Sequence, residues 1–226
     1  MPRIIDLSMP IEDHFRWPVE RRVKGDHARG DVFQTTWIGA SVHGFTHMDS
    51  PRHCVPGGPT TDEVPIEQTI GDATVFDLAP VQPNEAITPE RLADAGKLLR
   101  AGDIAVMRTC WEQQRSPKTE QFWTDAPHMT REAAEWLLER GPKAVAFDFP
   151  QDWPIRLLLK GESRPLEENV THDVLLRSGV ILIEYLSNTA ALVEPRVWFC
   201  CLPLKVPGSD GAPARVIAIE AETRIA

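Results

Sequence analysis

No C-x-x-C pair, no cluster of lysines and arginines and no run of about 18 apolar residues occurs in this chain of 226 residues. Each absence excludes a class of function. The four cysteines, Cys54, Cys110, Cys200 and Cys201, read as reduced and mostly buried thiols, and a chain of this length needs no disulfide to fold. The basic residues Arg21, Arg22 and Lys24 are diluted by acids, and 24 Lys+Arg against 33 Asp+Glu give a formal charge of −9. That balance excludes a nucleic-acid surface, which needs clustered positive charge to hold phosphates. The start, Met1 to Asp6, lacks the long apolar segment of a signal peptide, so the expectation is a cytoplasmic protein with no membrane partner. Repeats, low-complexity tracts and a clear linker are also missing, which predicts a single domain over residues 1–226.

What is present is proline, 20 residues of it, which suits many short strands joined by fixed turns. Arg3–Ser8 reads as a first strand, Pro10 to Asp31 as a long polar loop, and Val32 to Val42 as a strand broken at Gly39. Further strands are expected at Ala73–Leu78, Asp103–Arg108, Lys143–Phe149, Val180–Leu186, Val197–Lys205 and Ala214–Glu220. Helices are expected over Glu90–Arg100 behind Thr88 and Pro89, from the Thr130 cap to Gly141, and from a Thr171 cap to about Gly179. About eight strands and three or four helices without regular alternation indicate an α/β domain with a mixed sheet. Trp37, Trp136 and Trp198 read as core. Trp111, Trp123 and Trp153 lie in polar or proline-rich stretches where they could line a pocket. His14, His27 and His128 read as solvated.

Three of the seven histidines fall with an acid in one short run, His43, His47, Asp49 and His53. All four share parity, yet on a straight strand His43 and Asp49 would stand about 20 Å apart, too far for one ion. The segment therefore has to bend, with Gly44 and Pro51 as the places for it. Two imidazoles and a carboxylate suit Zn²⁺, Mn²⁺ or Fe²⁺, and the absence of cysteine near His43 and His47, with Cys54 the nearest thiol beyond His53, argues against a structural zinc. Glu184 lies in the most apolar strand and needs a cation there. A helix from His172 rising about 10 Å and a strand returning about 13 Å to Glu184 nearly match, so these two side chains can converge. The alternative is a bridge from Glu184 to Arg177 or Lys205.

These residues, together with Asp6-Leu7-Ser8, Trp17-Pro18, Pro51 and the closing Leu202-to-Lys205 and Asp210-to-Val216 segments, resemble the cyclase-family metal hydrolases. That group contains bacterial kynurenine formamidase and the isatin hydrolases. The resemblance implies a swivelling β/β/α-type fold with a mixed sheet or barrel and a few flanking helices, assembled as a homodimer or higher homo-oligomer. It implies one or two divalent ions per subunit, Zn or Mn, held by His43, His47, Asp49, His172 and Glu184. His53 matches the general acid/base, and Trp17 the aromatic that covers a small-molecule substrate. Three positions differ from the common pattern: Phe45 in place of glycine, Gln151 in the turn after Asp148, and Tyr185 after Glu184. A ring at Phe45 beside the metal is expected to reshape the substrate pocket. The implied reaction is hydrolysis of a C–N amide bond, in an aryl formamide such as N-formylkynurenine or a cyclic amide such as isatin, by metal-activated water. Alternatives on the same site are a dienelactone-type lactone hydrolase, a metal-dependent cyclase or lyase, and a non-catalytic metal-dependent binder. A thiol role for Cys54 is disfavoured, because adjacent side chains such as His53 and Cys54 point apart.

Overall fold

The computed structural model describes residues 2–220. Its strands are β1 (Arg3–Asp6), β2 (Glu20–Gly25), β3 (Thr35–Gly39), β4 (His47–Asp49), β5 (Ile70–Asp77), β6 (Ala86–Ile87), β7 (Ile104–Arg108), β8 (His128–Met129), β9 (Ala144–Phe147), β10 (Ile181–Glu184), β11 (Arg196–Pro203) and β12 (Gly211–Glu220). The helices are α1 (Pro89–Ala95), α2 (Trp111–Gln114), α3 (Gln121–Thr124), α4 (Arg131–Arg140), α5 (Ile155–Leu158) and α6 (Val170–Val174).

Hydrogen bonding runs β12-β11-β5-β7-β9-β10-β4 and returns from β4 to β12, which closes a mixed barrel of seven strands; β1 adds to the outside edge of β12. β5, β7, β9 and β10 pair parallel, and the remaining barrel contacts are antiparallel. The barrel and its flanking helices are the mixed α/β architecture expected from many strands and a few helices in no regular alternation.

Side-chain parity decides which residues fill the barrel. Ile104, Val106, Ala144, Ala146, Ile181 and Ile183 join Met48, Phe199, Cys201, Val216 and Ala218 in one buried cluster. The neighbours of opposite parity, Ala105, Met107, Val145, Phe147 and Leu182, pack outward with residues of α1, α4 and α6 in a second cluster. Met48 points into the barrel, so His47 and Asp49 on either side of it face outward, as does Glu184 one step beyond Ile183.

Local chemistry explains the element ends. Thr130 caps α4 by accepting from the Ala133 N–H at 3.2 Å, and Gly141 ends that helix with φ 64°. α1 stops at Ala95 rather than Arg100, with Gly96 at its C-cap, packed so closely on the Phe76 ring that a Cβ would come within 2.1 Å. Pro10 to Asp31 is not all loop: β2 pairs with β3 in a hairpin of almost wholly exposed residues, where no face is buried and so no alternation marks the strand. Trp111 and Trp123 are buried in the outer cluster, whereas Trp37 on that hairpin and Trp198 on β11 are exposed. All four cysteines are free thiols.

Candidate metal centre

The site is assembled on the outer face of β4, between its two antiparallel neighbours. Register places Glu184 of β10 opposite His47 and Gly211 of β12 opposite Asp49. The bend that the spacing demanded begins at Gly44, whose N–H donates to the Ser41 carbonyl at 3.3 Å, and is completed by Phe45, which takes the left-handed conformation at φ 59°. The turn brings His43 back over Asp49, with His43 Nδ1 2.7 Å from Asp49 Oδ1. Gly211 makes room for it, since a Cβ there would lie 2.6 Å from His43 Cε1. Thr46 locks the corner by donating to the Tyr185 carbonyl at 2.6 Å and accepting from the Met9 N–H at 2.8 Å.

His47 is fully buried, and its Nδ1 donates to the Phe45 carbonyl at 2.8 Å. A carbonyl only accepts, so the neutral ring carries its proton on Nδ1 and presents a bare Nε2 to Asp49 Oδ1 at 3.2 Å and Glu184 Oε2 at 3.7 Å. His172 on α6 is held in the same manner. Its Nδ1 lies 2.6 Å from Asp152, and Nε2 faces Asp49 Oδ2 at 3.5 Å and Glu184 Oε1 at 3.6 Å. Thr171 is not the helix cap that the sequence suggested. It is buried within α6, and its N–H and hydroxyl donate to Asp152 at 2.8 and 3.0 Å, which fixes the carboxylate that orients His172. The short turn over Pro51–His53 presents His53, with its ring centroid 4.0 Å from that of His43 and Nδ1 3.6 Å from Asp210 Oδ2.

The donor set fits a divalent cation. His47 Nε2 and Asp49 Oδ2 are buried without a hydrogen-bond partner, which is costly unless something else binds them. Ligand atoms of His43, Asp49 and His53, and those of His47, Asp49 and Glu184, form two groups each within 4.8 Å, with Asp49 common to both. Burial favours the neutral forms of these groups, but their mutual attraction prevails: His43 is pushed up to about 9 by Asp49 and Asp210, His172 is raised by Asp152 and Asp49, and Asp49 is held well below the usual carboxylate range by the surrounding imidazoles. His53 is instead lowered, with burial the largest cause. Glu184 makes no bridge to Arg177, which pairs with Asp173, or to Lys205; it accepts from the Gln151 amide.

A cavity of about 610 Å³ opens over the ligands, lined on its other sides by Arg16, Cys54, Ile155, Leu158, Arg164, Leu166 and Tyr185. Trp17 and Phe45 are not in that lining. Both are buried beneath it, each packed on the other at 5.1 Å, and Trp17 meets Tyr185 at 5.2 Å, so Tyr185 is the ring that reaches the cavity. Phe45 thus does not narrow the pocket beside the ligands. Trp111, Trp123 and Trp153 are also outside the lining, and His14 is half-buried against Trp17 rather than solvated. The polar residues that sequence reasoning left unassigned are Gln151, Asp152 and Asp210. Asp152 had a signal: an acid two residues after Pro150, ahead of the helix bearing His172.

The Cyclase family model matches residues 5–151. The chain belongs to that family. Among curated members it is 29% identical to the kynurenine formamidase of Salinibacter ruber, over 96% of this chain and 98% of that protein. It is 24% identical to the isatin hydrolase of Roseibium aggregatum, over 84% of this chain and 76% of that one. The solved isatin hydrolase A from Labrenzia aggregata, bound to benzyl benzoate, superposes with a TM-score of 0.79 at 25% identity, covering 98% of this chain and 94% of that one. A structure described as a potential metal-dependent hydrolase with cyclase activity gives 0.76 at 26% identity, covering 98% and 100%. This Cyclase-family chain is a hydrolytic enzyme, and its His/Asp/Glu cluster has the donors and spacing that could hold a metal ion.

Proposed function

We propose that this protein is a metal-dependent amidohydrolase that cleaves the C–N bond of an aryl formamide, such as N-formylkynurenine, or of a cyclic amide such as isatin. The observation that carries the reading is the pair of unpartnered, buried donors, His47 Nε2 and Asp49 Oδ2, at the floor of a cavity that also presents His53. His43, His47 and Asp49 would hold one ion, and Asp49, His172 and Glu184 a second; the donor types suit Zn²⁺ or Mn²⁺. A bound ion supplies a Lewis acid that polarises the amide carbonyl and lets water deprotonate near neutrality.

The protein's own groups do the rest. His53 takes the proton from the attacking water and returns it to the leaving nitrogen, and the lowered basicity that burial gives it suits a group that must both accept and release. Asp210 lies against both His43 and His53 and sets their orientation. Ile155, Leu158 and Leu166 hold the apolar body of the substrate and exclude water. Trp17 and Phe45 act from beneath, by packing Tyr185 into position.

We further propose a single domain that works in the cytoplasm as a homodimer on a small-molecule substrate. The free cysteines suit a reducing compartment, and the exposed Trp198, Leu202 and Leu204 on and beside β11 supply an apolar face for a second copy. Light scattering of the eluting protein is expected to give twice the chain mass; the monomer mass would reject the dimer. The test of function is metal content after purification without chelator, followed by turnover on aryl formamides, isatin-like lactams and aryl lactones. Bound Zn or Mn with cleavage of an amide class is expected. Cleavage of lactones alone would move the protein to the other branch, and metal without turnover would leave a binder.

A further inference from the structure

Arg16 stands out among the arginines that lie over tryptophan rings. Arg22, Arg115, Arg140 and Arg156 each sit on such a ring and each also donates to an oxygen, Arg22 to Glu20, Arg115 to Asp125, Arg140 to the Trp136 carbonyl and Arg156 to the Trp153 and Ala126 carbonyls. Arg16 sits 4.4 Å above Trp123 and 5.9 Å from Trp17, but among the described residues its guanidinium has no acceptor and no ion pair, and its Nη1 is buried. It lines the same cavity as His43, His47, Asp49, His172 and Glu184. It also lines the adjoining depression of about 460 Å³ with Phe15, Leu158 and Glu120, and Glu120 makes no ion pair with it. A buried guanidinium nitrogen without an acceptor is costly, and the aromatic faces of Trp17 and Trp123 hold the group in one place and orientation.

We propose that Arg16 is a specificity residue that pairs with a carboxylate on the part of the substrate that is not cleaved, so that the enzyme selects anionic amides. The inference rests on the amidohydrolase reading and narrows its substrate class. The acids of the metal centre cannot be the missing partner, because they are engaged with imidazoles at the cavity floor. A planar fork of N–H donors matches a carboxylate better than any neutral group. Ile155, Leu158 and Leu166 take the apolar body between the two polar ends.

The test compares N-formylanthranilate with formanilide, an anionic and a neutral aryl formamide, on the metal-loaded enzyme. The ratio of their kcat/KM values is expected to fall about tenfold or more in Arg16→Met, the size of one lost charge-assisted hydrogen bond, and to fall less in Arg16→Lys. Circular dichroism and metal content of the variants report whether they are folded. An unchanged ratio in folded Arg16→Met overturns the proposal. If the wild-type protein cleaves neither compound, benzoate binding followed by tryptophan fluorescence decides on Arg16, and the amidohydrolase reading itself fails if isatin is also left intact. Benzoate bound at least tenfold more weakly by Arg16→Met upholds the anion site, and equal binding by both proteins rejects it.

Discussion

His53 and Asp152 show how two kinds of residue share one reaction. His53 faces the cavity with its ring against that of His43, and the proposed function gives it the work of carrying protons. His53→Ala is therefore expected to lower kcat about 100-fold or more while metal content, read by mass spectrometry, stays at the wild-type level. Asp152 is not in the cavity lining; it meets the site at the Nδ1 of His172 and is itself held by Thr171. In Asp152→Asn the loss is expected in metal affinity, about 10- to 100-fold, with a smaller effect on kcat at saturating metal. Equal effects of the two substitutions on both readouts would contradict this division. His43, His47, Asp49 and His53 stood out in the sequence because their types and spacing are rare. The roles of Asp152, Gln151 and Asp210 were not legible, because an acid or amide that orients a ligand has no spacing rule of its own and its partner is seen only once the chain is folded.

At the scale of the elements, the site depends on register and on one backbone turn. A strand of three residues, β4, puts Met48 into the barrel and His47 and Asp49 outside it, and pairing to β10 and β12 brings Glu184 and Asp210 to them. The central strands β7, β9 and β10 were legible from apolar runs because both of their faces are buried. β3 was legible within the Val32 to Val42 run, but β2 was not, since its residues are exposed on both faces and show no alternation. The His172-to-Glu184 convergence was readable from length alone, with Gly179 reversing the chain at φ 88°. What length could not show was that Phe45 completes the bend, at a φ that glycine would adopt without strain. Phe45→Gly removes that strain, about 1 kcal/mol, but also a fully buried ring whose loss costs about 3 kcal/mol or more, so a net loss of about 2 kcal/mol is expected in urea melts. A more stable variant would show that strain outweighs packing. Gly211→Ala is expected to retain the fold, and to bind metal more weakly because the new methyl displaces His43.

Across the whole molecule, the barrel is tied together by ion pairs far from the cavity, and these set its response to acid. Asp103, before β7, accepts from Arg196 of β11 at 2.6 and 3.2 Å and from Thr74 of β5 at 3.1 Å. Burial alone would raise the Asp103 carboxyl, but Arg196 and the hydrogen bonds to Arg100 and Thr74 bring it below its ordinary value. A carboxyl lowered in the folded state contributes stability that is complete above its unfolded value, about 4, and is lost as pH falls below it. Arg196→Gln is thus expected to destabilise the protein by about 1–3 kcal/mol at pH 7 and by much less at pH 3. A loss that is the same at both values would assign the arginine a packing role only.

The central claim joins the centre to the chemistry: an ion held by His47 and Asp49 hydrolyses an amide. Its most direct test strips the protein with a chelator and follows amide cleavage as Zn²⁺ or Mn²⁺ is added back, with His47→Ala alongside. The account predicts no cleavage by the stripped protein, a rate that rises and saturates at one or two ions per chain, and no recovery in His47→Ala. Undiminished cleavage by the stripped protein, or full recovery in the variant, would contradict it.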